Sequence, residues 1–298
     1  MDLSRRLGGA LEPVAAQVLF SPEAYTEYVK LGFDPSPGPY LPGSPVAGPE
    51  RKAYFTSRGS VMGRVRGEVV AAAFGVFKPE LVTAGVEFGW SLTDPETIRA
   101  ARDRGAIAQL VRILGERPEG LDRARSLAER AVSRLQPAGK PLFAGQLSLG
   151  LPGHPLGDVW RLLETLREYR GDAHTAAWNA GGFDAVTIGI ITEYWWGLTP
   201  RTYVRSRGWS DEHLDAGQER MASRGWWADG HPTEQGMAAR EDVEVATDRQ
   251  CRPIVDALGE DGTGALIEIL TPWGRKIREA GGYPALAQRP VHATEQFA

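Results

Sequence analysis

Apolar side chains recur along most of this chain at intervals of three and four residues, the period of a helix that turns one face to a core. The pattern predicts a first helix over residues 4–20, in spite of Pro13, and a short one over 22–31. Residues 32–49 are too rich in proline and glycine for a helix or a central strand, so they read as a long loop, either a stiffened surface connection or a functional segment. Helices over 51–58 and 68–77 follow, separated by Gly59, Gly63 and Gly67, with Pro79 ending the second or restarting the chain. From Asp94 the helical signal is strong. Asp94 is a natural N-cap, Pro95 suits the first helical position and Glu96 the positive end of the helix. Ile98, Ala101, Ile107, Leu110, Val111 and Leu114 form its apolar stripe. Pro118-Glu119-Gly120 breaks the run, and residues 121–136 make a second amphipathic helix.

The Gly- and Pro-rich stretch 139–155 is the best boundary, dividing the chain into a helical domain at 1–150 and a second domain at 151–298. The second opens on a long helix over 157–179 that stops at Gly181-Gly182. Its order is then a helix over 183–196, a short helix after Thr199-Pro200, a helix over 211–224 with Ser210 before it, and a turn at Asp229-Gly230 between two very short strands. Long helices over 233–258 and 264–280 close the chain. The fold class expected is therefore all-α, with one small β-hairpin.

That order is the layout of a winged helix. Met221-Ala-Ser-Arg-Gly-Trp, Asp229-Gly and Thr233-Glu-Gln-Gly resemble the recognition-helix end, wing and following helix of the MarR-type regulators. Ala53-Tyr-Phe-Thr-Ser-Arg58, Glu68-Val-Val-Ala-Ala-Ala-Phe74, Leu166-Arg-Glu-Tyr-Arg-Gly-Asp-Ala-His174 and Arg207-Gly-Trp209 together resemble an uncharacterised SalK-like helix-turn-helix family of bacteria. The second resemblance spans most of the chain and implies the fold, with no activity to carry over. The first implies a ligand-responsive regulator and a two-fold dimer through the terminal helices. Val243, Ala246, Ile254, Val255, Leu266, Ile267 and Ile269 fit such a dimer, and fit packing on the chain's own N-terminal half equally well.

Charge argues against DNA as the partner. A groove-reading helix needs Arg, Lys, Asn or Gln at its start and cations for phosphates. Here residues 211–224 carry Asp211, Glu212, Asp215 and Glu219 against Arg220 and Arg224, and the wing has no arginine at its tip. The whole chain has a formal net charge of −4, so no general affinity for polyanions is expected. With 42% hydrophobic and 24% charged residues, its 298 residues suit folded domains of ordinary composition. The longest apolar run, Val69 to Phe77, is about half of what a membrane-crossing helix needs. No signal peptide is visible, and the single Cys251 allows neither an internal disulfide nor a cysteine metal cluster, which places the chain in the cytoplasm.

The sharpest candidate chemistry lies on the helix over 157–179. Arg170, His174 and Trp178 follow at successive four-residue steps, hence on one face, where an apolar stripe begun by Leu163 and Leu166 turns polar. A guanidinium can clamp an anion, an imidazole can move a proton near neutral pH, and an indole can wall a pocket. His174 and Arg170 are thus the candidate catalytic pair of a metal-independent enzyme. Arg58, Tyr54, Trp178 and Glu68 are the candidate ligand contacts, giving a pocket between the halves for an anionic or aromatic small molecule. The competing reading makes Arg170 a satisfied buried group that fixes helix packing. Asp172 lies roughly 200° around the helix from Arg170 and is expected to pair elsewhere. His154, His174, His213, His231 and His292 show no ligand spacing, and no dinucleotide, P-loop or nucleophile-elbow motif occurs, so no metal or cofactor is expected. A partner-binding scaffold is the third functional reading.

Overall fold

A computed structural model describes residues 2–40 and 44–284; part of the predicted loop and His292 lie outside them. Among the described residues the chain forms thirteen α-helices and one two-stranded sheet. The N-terminal half holds α1 (Leu3–Ala15), α2 (Pro22–Val29), α3 (Arg51–Gly59), α4 (Gly67–Phe74), α5 (Pro79–Leu92), α6 (Pro95–Leu114), α7 (Leu121–Val132) and α8 (Pro141–Leu147). The first predicted helix is α-helical only as far as α1, and residues 16–20 continue as a tighter 3-10 turn. Asp94 caps α6 through the amides of Glu96 and Thr97. The described arms of the 32–49 loop pair with each other, Gly48 N–H donating to the Gly38 carbonyl at 2.7 Å and Tyr40 N–H to Val46 at 2.7 Å.

The sequence pattern missed α5 and α8, and glycine is the reason. Gly85 and Gly89 weaken the helical signal of α5, yet a Cβ on Gly85 would sit 2.9 Å from the Phe55 ring and one on Gly89 would strike Thr56. They are what lets α5 lie close on α3. Gly145 does the same in α8, where a Cβ would stand 2.7 Å from the Val61 carbonyl.

The second half runs through α9 (Pro155–Ala180), α10 (Ala185–Trp195), α11 (Tyr203–Ser206), α12 (Asp211–Ala222), the strands β1 (Trp227–Ala228) and β2 (His231–Pro232), and α13 (Glu234–Glu279). Asp184 closes a capping box on α10 with Thr187. Ser210 stands at the N-cap position of α12, but its hydroxyl pairs with His213 Nδ1 and makes no cap bond. The strands pair antiparallel, Trp227 opposite Pro232 and Ala228 opposite His231. Asp229 and Gly230 between them both take positive φ, as a tight two-residue hairpin turn requires. α13 corresponds to both closing helices of the sequence reading, joined across a break at Gly259, where φ is 71°.

Two apolar cores result. The first gathers the N-terminal helices, α9 as far as Ala173 and α13 from Cys251 onward. The second joins Ala177, Trp178 and Phe183 to α10, α11, α12, the wing and Val243 of α13. α9 and α13 therefore run through both, and the polar side chains between their apolar stretches connect them.

Candidate functional site

The polar side chains of α9 form a line of ion pairs to five other helices, α1, α3, α6, α7 and α13. Near its start Arg161 meets Asp103 and Gln146, and Glu164 pairs with Arg102, both side chains almost wholly buried. One turn on, Arg167 donates to both oxygens of Glu12 at 2.9 Å. Glu168 receives Arg58 at 2.7 and 3.1 Å. Burial would raise the Glu168 carboxyl, but the Arg58 and Arg167 charges outweigh it and hold it at about 2.

Arg170 fills the next place. Its Nη1 donates to Asp248 and its Nη2 to Glu244, both at 2.9 Å. Asp248 also accepts from Arg5 of α1 at 2.6 Å, and Glu244 pairs with Arg240 at 2.8 Å. His174 Nδ1 lies 3.1 Å from the Thr247 hydroxyl and 3.8 Å from Glu244. Burial, reinforced by Arg240 and Arg170, outweighs Glu244 and lowers the imidazole to about 4, so the ring is neutral at pH 7. The shared face predicted for Arg170 and His174 is real: both converge on Glu244.

The other sequence-selected residues go to different places. Arg58 joins α9 at Glu168, nearly two turns before His174, and Tyr54 accepts from Arg58 at 3.3 Å while its ring packs on Phe55, Phe74 and Phe77. Trp178 is buried in the second core, and its Nε1 has no hydrogen-bond partner among the described residues. Glu68 is exposed and bonded to Arg66. Asp172 pairs away from Arg170 as expected, accepting from the Phe143 amide at 2.9 Å, with burial pushing its carboxyl up to about 7.

Sequence reasoning passed over Arg5 and the α13 residues Arg240, Glu244, Thr247 and Asp248. The signal was present: Arg240, Glu244 and Asp248 follow at four-residue steps on a helix whose same stretch is otherwise partly apolar.

Two cavities stand out, and neither touches Arg170 or His174. One, of about 510 Å³, opens beside α8: Val61, Met62, Pro141 and Leu149 give apolar walls, and Arg99 and Ser148 the polar ones. Arg99 spends one nitrogen on the Ser60 carbonyl at 2.9 Å and has no carboxylate partner among the described residues. The other, of about 120 Å³, lies between α1 and the end of α13.

Around α12 the arginines are engaged inside the chain. Arg201 meets Asp211 and Asp215, Arg205 meets Asp211 at 2.6 Å, and Arg220 meets Asp184 at 2.9 Å. Arg224 donates to the Gly182 carbonyl and lies over the Trp226 ring, while Arg207 lies over Phe77 and Tyr203. Glu212 and Glu219 stay exposed on α12 with no arginine or lysine partner among the described residues.

Helix, short helix, helix and hairpin between two long helices give the C-terminal unit the layout of a winged helix. The chain belongs to a helix-turn-helix family, whose sequence profile matches residues 4–284. No curated protein and no solved structure matches it. Among the described residues no helix is long and apolar enough to cross a membrane.

Proposed function

We propose that this helix-turn-helix protein binds a small molecule and that its winged unit has given up reading DNA. The charge accounting around α12 carries this reading. Phosphate contacts need a surplus of cations, and here Arg201, Arg205 and Arg220 are matched by Asp211, Asp215 and Asp184 while the exposed face of α12 adds Glu212 and Glu219.

The cavity beside α8 is where the reading places the ligand, an anionic molecule with an apolar body. Its open walls are about equally polar and apolar and Arg99 supplies one guanidinium, so a carboxylate can be gripped there while the body attached to it lies against Val61, Met62 and Leu149. Arg170 and His174 enter as the cluster that fixes α9 against α13, because Arg170 has already committed its two terminal nitrogens to carboxylates. An acid–base role for His174 in specialised metabolism, the enzymatic form of the proposal, requires a substrate to reach a ring that lines neither cavity and whose lowered basicity makes it a weak base at pH 7. The MarR-like and SalK-like resemblances, and a cytoplasmic location, belong to the same proposal. A two-fold dimer through α13 would have to use exposed side chains such as Val245, since Val243, Ile254, Val255, Leu266 and Ile267 are buried within the chain.

A ligand-responsive regulator is the second reading. It is favoured by family membership and by the complete helix, hairpin and helix order of the unit.

The test is a thermal-shift panel of aryl and alkyl carboxylates on the wild type and Arg99→Ala. The proposal expects at least one to raise the wild-type melting temperature and to lose that effect in the variant. A panel without any shift, or shifts that survive Arg99→Ala, would remove the cavity from the account.

A further inference from the structure

We propose that the cleft between α1 and the end of α13 is a second site, distinct from the cavity beside α8, and that it binds a phosphate-sized oxyanion through Arg278. The cleft has a volume of about 120 Å³, and both Arg275 and Arg278 line it. Among the described residues Arg278 Nη2 is buried without a hydrogen-bond partner, while the side chain as a whole is half-buried. The carboxylate that acts on it through space, Glu12, has both oxygens occupied: Arg167 donates to each, and the Tyr283 hydroxyl adds a bond at 3.1 Å.

A guanidinium stays charged at any pH a protein survives, so a buried one needs an anion or pays for its absence in desolvation. Arg58, Arg102, Arg167 and Arg170 have such partners, and each is raised above the ordinary arginine value. Burial lowers Arg278 instead. Tyr283 and Glu12 raise it by less than burial lowers it, so among the described residues its charge is only partly compensated.

The backbone shapes a place for an anion. Gly274 stands one turn before Arg278; a Cβ there would lie 2.7 Å from Pro13 Cγ and 3.8 Å from Arg278 Nη1, so a side chain would occupy the cleft. An anion seated there can accept from Arg278 and lie beside Arg275. A phosphate group brings up to two negative charges and several acceptor oxygens to the two guanidinium groups, whereas acetate brings one charge.

Calorimetric titration at constant ionic strength tests the site, with inorganic phosphate, glycerol phosphate and acetate as separate arms. The variants are Arg278→Met, which removes the charge, and Ala10→Leu, which fills the cleft and leaves the charge. Wild type is expected to bind phosphate, with glycerol phosphate matching it if the group is carried on a larger molecule. Both variants should weaken that binding by roughly 10- to 100-fold, the range for losing charge-assisted hydrogen bonds. In phosphate-free buffer Arg278→Met should melt no lower than wild type, because it removes a charge that is only partly compensated. The proposal is overturned by absence of phosphate binding, by tighter binding of acetate, by unchanged affinity in the variants, or by a marked loss of melting temperature in Arg278→Met without ligand.

Discussion

His174 and Asp172 stand two residues apart on α9 and respond to pH in opposite directions. An unfolded histidine takes up a proton near pH 6.5, whereas folded His174 does so near 4, so between those values the unfolded chain holds more protons. His174 therefore subtracts stability as pH falls through that window. Folded Asp172 keeps its proton up to about 7 although an unfolded aspartate loses it near 4, so its contribution is present at low pH and is lost as pH rises between the two. Melting curves of His174→Gln and wild type should accordingly shift in favour of the variant as the buffer goes from about pH 7.5 to about pH 5. Asp172→Asn keeps an acceptor for the Phe143 amide and should gain on wild type in the other direction, from about pH 4 to about pH 8. A constant difference across pH in either variant would contradict the environments described. The face shared by Arg170 and His174 was legible from their spacing alone. That Glu244, Asp248 and Thr247 complete it was not, because spacing gives the direction of a side chain and says nothing about which helix lies opposite.

Between elements, the buried pairs along α9 and the glycine contacts decide how closely the helices pack. Arg102 of α6 and Glu164 of α9 are each nearly free of solvent contact, so Arg102→Met strands a buried carboxylate and should cost about 3–5 kcal/mol in chemical denaturation. Adding Glu164→Leu should restore much of it, since the desolvation cost of both charges then disappears; a double variant as unstable as the single would show that the pair itself carries the stability. Gly105 on α6 has the backbone of Ala24 where its Cβ would be, and backbone cannot move aside as a flexible side chain does. Gly105→Ala should push α2 off α6 and destabilise by about 1–3 kcal/mol, despite alanine's better helix propensity. Long helices with clear stripes, α6, α7 and α9, were readable from the sequence. α5 and α8 were not, because the glycines that let them pack closely are the residues that erase a helical signal.

Across the whole molecule, α9 and α13 each pass through both apolar cores, and the ion pairs from Arg170 of α9 to Glu244 and Asp248 of α13 tie the two helices together where they leave one core for the other. The acidity of α12 could be read from its sequence; the engagement of Arg201, Arg205, Arg220 and Arg224 with neighbours 6 to 42 positions away could not, since it depends on how α10, α11 and α12 come together. The central claim is that these internal contacts leave the winged unit unable to read DNA. Fluorescence polarisation of the purified protein against a library of labelled genomic fragments at about physiological salt tests it most directly. The account predicts only non-specific association, with Kd of roughly 10⁻⁶ M or weaker for every fragment; nanomolar binding to one fragment, abolished by substitutions on α12, would contradict it.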